Sequence, residues 1–257
     1  MKTLVMMTSL WICGLGIGTL AQSIEGGIVK YKRIVDLGIK VEGEWADFKK
    51  TLPKTRTTNF ILYFSTSESN FADNAKENEA PSNMMKKAMY FAGVTGKPQV
   101  KFAKLYRDMD KNLEIKQSEF MTRLFLEEGK TPKLKWKMGA ATKEILGYTC
   151  MQAEIELDGK KILAWFTPDI PISIGPDKYY GLPGLILEAN VNQGQQVWLA
   201  ASIDKTVPSK ELLSKPKEGK KVKPDQYKKI QEVKIAEWEK QAKMKKNLKG
   251  DWQGGKK

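Results

Sequence analysis

Between Tyr148 and Thr167 the chain alternates with a period of two about an Asp-Gly pair, and that pattern leaves few folds open. Along the first segment Met151, Ala153, Ile155 and Leu157 share one side, while Gln152, Glu154 and Glu156 share the other. Successive side chains of a strand face opposite ways, so this reads as a strand with one covered and one wetted face. Asp158-Gly159 supplies the residues that a two-residue hairpin turn prefers, and Lys161 to Thr167 returns from it. An isolated hairpin is marginal in water. The segment therefore commits the chain to further strands.

Those strands are legible on both sides. Gly27 to Leu37 is rich in β-branched residues, Asn59 to Ser65 is a compact apolar run, and Gln99 to Tyr106 alternates. Asn112 to Lys116, Phe120 to Leu126 and Leu134 to Met138 continue in the same style. Leu185 to Asn190 and Gln196 to Ser202 form a second hairpin about Asn192-Gln193-Gly194. Short strands with tight polar connections describe an antiparallel meander, so the fold class is mainly β with a few short helices. A helix is expected over Ala46 to Leu52, stopped by Pro53. Glu68 to Gly96 reads as a long loop with helical turns near Asn83 to Tyr90. There Met84, Met85 and Met89 suit core packing better than copper(I), since Lys86 and Lys87 intervene.

The first residues have the layout of a secretory signal peptide: Lys2, an apolar run, then small residues ending at Ala21. The run is long enough to compete as an uncleaved anchor, but Gly14, Gly16, Gly18 and Ala21 favour cleavage before Gln22. No later run approaches membrane-spanning length. Cleavage removes Cys13 and leaves Cys150 alone, so no internal disulfide is expected and a buried, inert thiol is the simpler role. The chain has no histidine. That removes histidine acid-base chemistry, Ser-His-Asp and Cys-His nucleophiles, and the usual zinc and copper(II) sites, so no metal or cofactor is expected.

The formal charge is +14, and about +9 of it falls after Ser202. Residues 208–223 read as an exposed, Lys-rich linker or edge. Pro224 and Asp225 suit the first turn of a helix that packs weakly, and Gly250 to Lys257 is expected to lack order. The organisation is thus a signal peptide over 1–21, a β domain over 22–207, and a basic linker, helix and tail over 208–257. A solvated lysine face is the simplest reading of the tail. No aromatic-rich motif points to nucleic acid.

One run resists reading as ordinary strand: Ala164 to Ile186, AWFTPDIPISIGPDKYYGLPGLI. Pro168, Pro171 and Pro176 remove donors, Gly175, Gly181 and Gly184 allow positive φ, and Pro183-Gly184 suits the middle of a type II turn. A stiff corner with Leu182, Leu185 and Ile186 in the core explains it. The alternative is a ligand rim offering the rings of Trp165, Tyr179 and Tyr180. Asp169 and Asp177 flank the central segment and could act as paired carboxylates of a hydrolase at a suitable separation, though turns and solvated charges also account for them.

The chain resembles the GLPGLI family. The resemblance rests on Gly181, Leu182, Pro183, Gly184, Leu185 and Ile186, preceded by Trp136, by Ile145, Gly147, Tyr148, Cys150 and Ala153, and by Ala164, Trp165, Phe166 and Thr167. Ile170-Pro171 and Gly175-Pro176 complete it. Lys160 and Ile162 depart from it, where members often carry Arg and an aromatic residue. The resemblance implies export in Gram-negative bacteria of the Bacteroidota kind and brings no established activity. By analogy it also implies a curved antiparallel sheet or half-barrel with a C-terminal helix. The expected function is a non-enzymatic protein of the periplasm or outer membrane whose sheet binds a lipophilic, glycan or peptide ligand, or an envelope partner. The alternatives are the carboxylate hydrolase and an accessory subunit of an outer-membrane receptor or secretion machine.

Overall fold

The computed structural model describes residues 24–94 and 98–254. The expected signal segment with Cys13, and the last three residues of the tail, lie outside them. The strands in chain order are β1 (Gly26–Asp36), β2 (Thr55–Ser65), β3 (Glu68–Asp73), β4 (Val100–Asp108), β5 (Leu113–Phe120), β6 (Arg123–Lys130), β7 (Lys137–Ile145), β8 (Tyr148–Leu157), β9 (Lys160–Thr167), β10 (Leu185–Val191), β11 (Gln196–Asp204) and β12 (Lys220–Val222). They make one sheet in the order β12-β6-β5-β4-β3-β2-β1-β11-β10-β9-β8-β7. Two antiparallel meanders thus meet where β1 pairs with β11. The parallel pairing is β12 on β6.

This order forces curvature. β6 and β7 are consecutive in the chain but ten strand steps apart in the sheet. A flat sheet would separate them by roughly 48 Å, at about 4.8 Å per step. Residues 131–136, which join them, reach about 24 Å at full extension. The sheet must therefore curl until its two ends approach, yet it stays open, with β12 at one end and β7 at the other. The expected mainly β, curved antiparallel architecture is the one observed.

The inner face carries the core. Val29, Tyr31, Leu62, Phe64, Phe71, Leu105 and Phe166 are buried, joined by Ile170, Ile174 and Leu182 from the loop between β9 and β10. Tyr31 donates its hydroxyl to the Ile186 carbonyl at 2.6 Å, tying β1 to the start of β10. A smaller cluster joins α1 (Ala46–Lys50) and α2 (Asn83–Phe91), with Met85 and Met89 packing beside Leu37, Leu52 and Ala88. Ser82 caps α2 by accepting the Met85 N–H. The long α3 (Pro224–Gly254) rests on the β5–β6 hairpin through Tyr227, Ile230 and Ile235. No helix among the described residues is long and apolar enough to cross a membrane.

Several boundaries differ from the sequence reading. The expected loop after Glu68 begins with β3, which is paired on both sides, by β2 and β4. The expected strand Phe120 to Leu126 is broken by a turn at Met121 and Thr122, both at positive φ. Leu134 to Trp136 belong to the connection that closes the curl, and pairing starts only at Lys137. The basic linker contributes β12, and α3 continues through Gly250 to Gly254.

Candidate functional site

The loop of residues 168–184 folds back along β10. Ile170 O accepts the Leu185 N–H at 3.0 Å, and Ile174 O accepts the Ile186 N–H at 2.9 Å. Three two-residue hydrogen bonds tighten it: Ile172 N–H to Ile170 O, Ile174 N–H to Ile172 O, and Gly184 N–H to Leu182 O, each 2.8 Å. These are γ-turns, and the proline at Pro171 and Pro183 presets the central φ that they need. Pro183-Gly184 is therefore not the centre of a type II turn. Gly184 has φ +155°, and a Cβ there would stand 2.1 Å from the Thr167 carbonyl oxygen. A Cβ at Gly175 would meet Ile186 and the Tyr179 carbonyl at 2.7 Å. Both glycines permit backbone approaches that no side chain allows.

The other motif residues mostly serve this packing. Ala164, Phe166, Leu182, Leu185 and Ile186 are fully or almost fully buried, and Pro176 is buried too, whereas Pro171, Gly181 and Pro183 are exposed. Trp136 donates its indole N–H to the Tyr180 carbonyl at 2.8 Å, pinning the closing connection to the loop. Cys150 is buried, and burial pushes its thiol up to about 11. Its burial runs against the alternation read from the sequence. Cys150 and Ala153 have opposite parity and are both fully covered, so each side of β8 is covered locally at one of these positions.

The three rings expected at a rim do not converge. Tyr179 is 2 % exposed and belongs to the core, which corrects its place on a rim. Trp165 pairs with Glu188, which pairs with Leu199, so it stands on the face opposite Trp198 and Ala189. There the Lys143 ammonium lies 4.5 Å from its ring and 2.6 Å from Glu188. Tyr180 is half-buried inside the curl, beneath the Arg107 guanidinium at 4.3 Å.

What the fold does assemble is a cavity of about 230 Å³ on the concave face. Its floor is aromatic. Phe60 and Phe71 stack at 5.3 Å and 7°, and Trp198 meets them edge-on at 4.9 and 5.5 Å. Phe102 closes one side and Val100 stands at the exposed margin. Arg33, Lys116 and Asp177 supply the polar wall. Arg33 faces Trp198 across the β1–β11 pair, with its guanidinium 5.6 Å from the indole. Its Nε and Nη2 both donate to Gln196 Oε1, at 3.3 and 3.0 Å. Burial lowers its pKa, opposed by the charge of Asp177.

Beside the cavity the inner face turns polar. Arg107, 3 % exposed, donates Nε to Glu114 Oε2 at 2.8 Å while its Nη2 has no partner. Lys116 Nζ lies 3.7 Å from Glu127 Oε1, an ion pair too long for a hydrogen bond, and that oxygen too is unpartnered. The Tyr180 hydroxyl and the Trp198 indole N–H are likewise buried without partners. Buried polar atoms are rarely left so, and among the described residues four of them lie on this one face.

Asp177 lines the cavity at the turn closed by Tyr179 N–H on Pro176 O. Asp169 does not; it is exposed, and its charge is felt at Cys150 instead. A larger cavity of about 580 Å³ opens at the far end of β8 and β9. Its charges are exposed and of both signs, with Glu154 paired to Lys137 at 3.3 Å. No reading of the sequence singled out Arg33, Phe60, Phe71, Phe102 or Trp198. The run Asn59 to Ser65 was legible as a compact apolar strand, but not which of its rings would meet those of other strands.

A family model described as a protein of unknown function (Porph_ging) matches residues 154–188, from within β8 through the loop into β10. No curated protein matches the chain. Among solved structures, PNGF-II in a P21 crystal form is similar at a TM-score of 0.53 and 15 % identity, covering 80 % of this chain and 33 % of that one. A C2 form gives a TM-score of 0.53 and 14 % identity, with 80 % and 32 % covered. The likeness is one of fold. The chain spans about a third of the PNGF-II chain that it matches.

Proposed function

We propose that this protein is a non-enzymatic binding protein of the bacterial envelope, exported by its first 21 residues, which holds a small ligand in the aromatic cavity of the concave face. The match over residues 154–188 supports placing it with the GLPGLI family. The observation that carries the reading is the Phe60, Phe71 and Trp198 floor, with its unpartnered indole N–H and the half-buried Arg33 above it. Binding sites combine such an apolar surface with a few placed polar groups. On this reading the 168–184 loop is the stiff part that shapes the curl, and the ligand sits beside it. The carboxylate hydrolase draws no comparable support, since Asp169 stands apart from the cavity that Asp177 lines.

The test is a fragment screen read by ligand-observed NMR, on the native protein and on Val100→Trp. Val100 is 41 % exposed at the cavity margin, so a larger side chain can plug the mouth without entering the core. Fragments should bind the native protein and lose binding in the variant, with an unchanged melting temperature. Binding that is indifferent to the plug, or absent altogether, would remove this site from consideration.

A further inference from the structure

Resting on the reading of the concave cavity as a ligand site, we propose that its ligand is a flat apolar group carrying a single carboxylate, held against the aromatic end formed by Phe60, Phe71, Phe102 and Trp198 with its acid toward Arg33 and Lys116. Size comes first. An apolar cavity of about 150 Å³ accepts a benzene ring, and this one, at about 230 Å³, has room for a ring and one small head group. Phe60, Phe71 and Trp198 close the base of the cavity by packing on one another, and the half-buried Phe102 and exposed Val100 offer the apolar surface that a further ring can reach.

The polar wall decides the head group. Arg33 keeps Nη1 free of any partner among the described residues, since its other two nitrogens share Gln196 Oε1. A guanidinium stays charged under any ordinary condition. Among the described residues Lys116 is held by the long 3.7 Å pair with Glu127. The Trp198 N–H is buried without a partner among the described residues. Two cationic groups, Arg33 and Lys116, thus face one acid, Asp177, among the described residues that line the cavity. Asp177 makes no ion pair within 4 Å among the described residues, so it biases Arg33 without neutralising it. A carboxylate offers the bidentate acceptor that a guanidinium fork fits. A cation would face Arg33 and Lys116 with only Asp177 in its favour.

The same chemistry is presented by a free aromatic acid and by the C-terminal aromatic residue of a peptide. The experiment is calorimetric titration of the protein with 3-phenylpropionate, 3-phenylpropanol and 3-phenylpropylamine, and with Gly-Gly-Phe bearing a free or an amidated C-terminus. At least one acid should bind about tenfold or more tighter than its neutral counterpart, the scale of one charge-assisted bond. The phenylpropionate and peptide arms then identify the source. Arg33→Gln should erase the preference, Arg33→Lys should keep part of it, and Asp177→Asn should tighten the acid. A tighter amine, equal binding of acid and alcohol, a preference that survives Arg33→Gln, or weakening by Asp177→Asn would overturn the proposal. If other fragments bind and are lost on plugging with Val100→Trp while no acid is preferred, the ligand class fails and the site stands. If nothing binds in either experiment, both fail.

Discussion

Trp136 donates its indole N–H to the main-chain carbonyl of Tyr180 at 2.8 Å, across 44 residues of sequence. The bond joins the two parts of the chain that determine its shape. Trp136 ends the short connection that draws the ends of the sheet together, and Tyr180 sits in the loop that fills the curl. Trp136→Phe keeps an aromatic ring and removes the donor, leaving the carbonyl without its partner. The expected cost is about 1 kcal/mol, which for a domain of this size lowers the melting temperature by roughly 2–4 °C. Thermal unfolding followed by circular dichroism would check it. No change in melting would mean that the bond contributes nothing to closure.

Gly184 and Gly181 make a controlled pair. Both have positive φ, +155° and +86°, but a Cβ at Gly184 would lie 2.1 Å from Thr167 O while one at Gly181 meets nothing within 4 Å. Gly181→Ala should cost about 1–2 kcal/mol, the penalty of the left-handed region alone. Gly184→Ala adds a backbone collision that cannot be relieved by a rotamer, so it should cost more than about 3 kcal/mol or prevent folding. Urea midpoints of the two variants, or soluble yield where Gly184→Ala does not refold, would decide. Similar losses for both would mean that the loop shifts freely and the close approach is incidental.

The β5–β6 hairpin turns on Met121 at φ +50° and Thr122 at φ +66°. Two positive values in a two-residue turn ask for Asn-Gly, and a β-branched residue is poorly suited to that region. Both residues are exposed. Met121→Asn with Thr122→Gly should therefore stabilise the protein, by about 1–2 kcal/mol. An increase in the urea midpoint is the expected reading, and a decrease would show that Thr122 contributes more through its hydroxyl bond to Met121 O than it loses in strain.

Local patterns in the sequence reached the elements that are locally specified. Tyr148 to Leu157 with Asp158-Gly159 was readable because alternation and turn residues agree, and the turn has the positive φ values expected of it. ESNFAD at Glu68–Asp73 was not readable. Its Ser, Asn and Asp suit loops, and only pairing with β2 and β4 on both sides holds it extended. The Met121-Thr122 turn carried no Gly, Asn or Pro to announce it. The cavity was less legible still, since Arg33, Phe60, Lys116 and Trp198 come from four strands and meet only through register and curl. The resemblance marked residues of the loop that shapes this face, while the rings that line it lie outside the motif.

Glu127 offers a test of the polar half of the concave face. Burial lifts its pKa above the ordinary value of 4.5, with Lys116 at 3.7 Å pulling the other way. An acid with a raised folded pKa holds its proton more tightly when folded than when unfolded. That stabilisation is complete below the unfolded value and is lost as pH rises through the folded one. Glu127→Gln has no charge to desolvate, so its stability relative to the native protein should improve as pH rises from about 4 through the folded pKa and level off above it. At pH 8 the variant is expected to be more stable by about 1 kcal/mol, on the scale of one buried unpaired polar group. Urea unfolding of both proteins across that pH range measures the difference directly. If the native protein instead gains on the variant as pH rises, the pairing with Lys116 outweighs burial, and Glu127 belongs to a satisfied ion pair rather than to an open polar face.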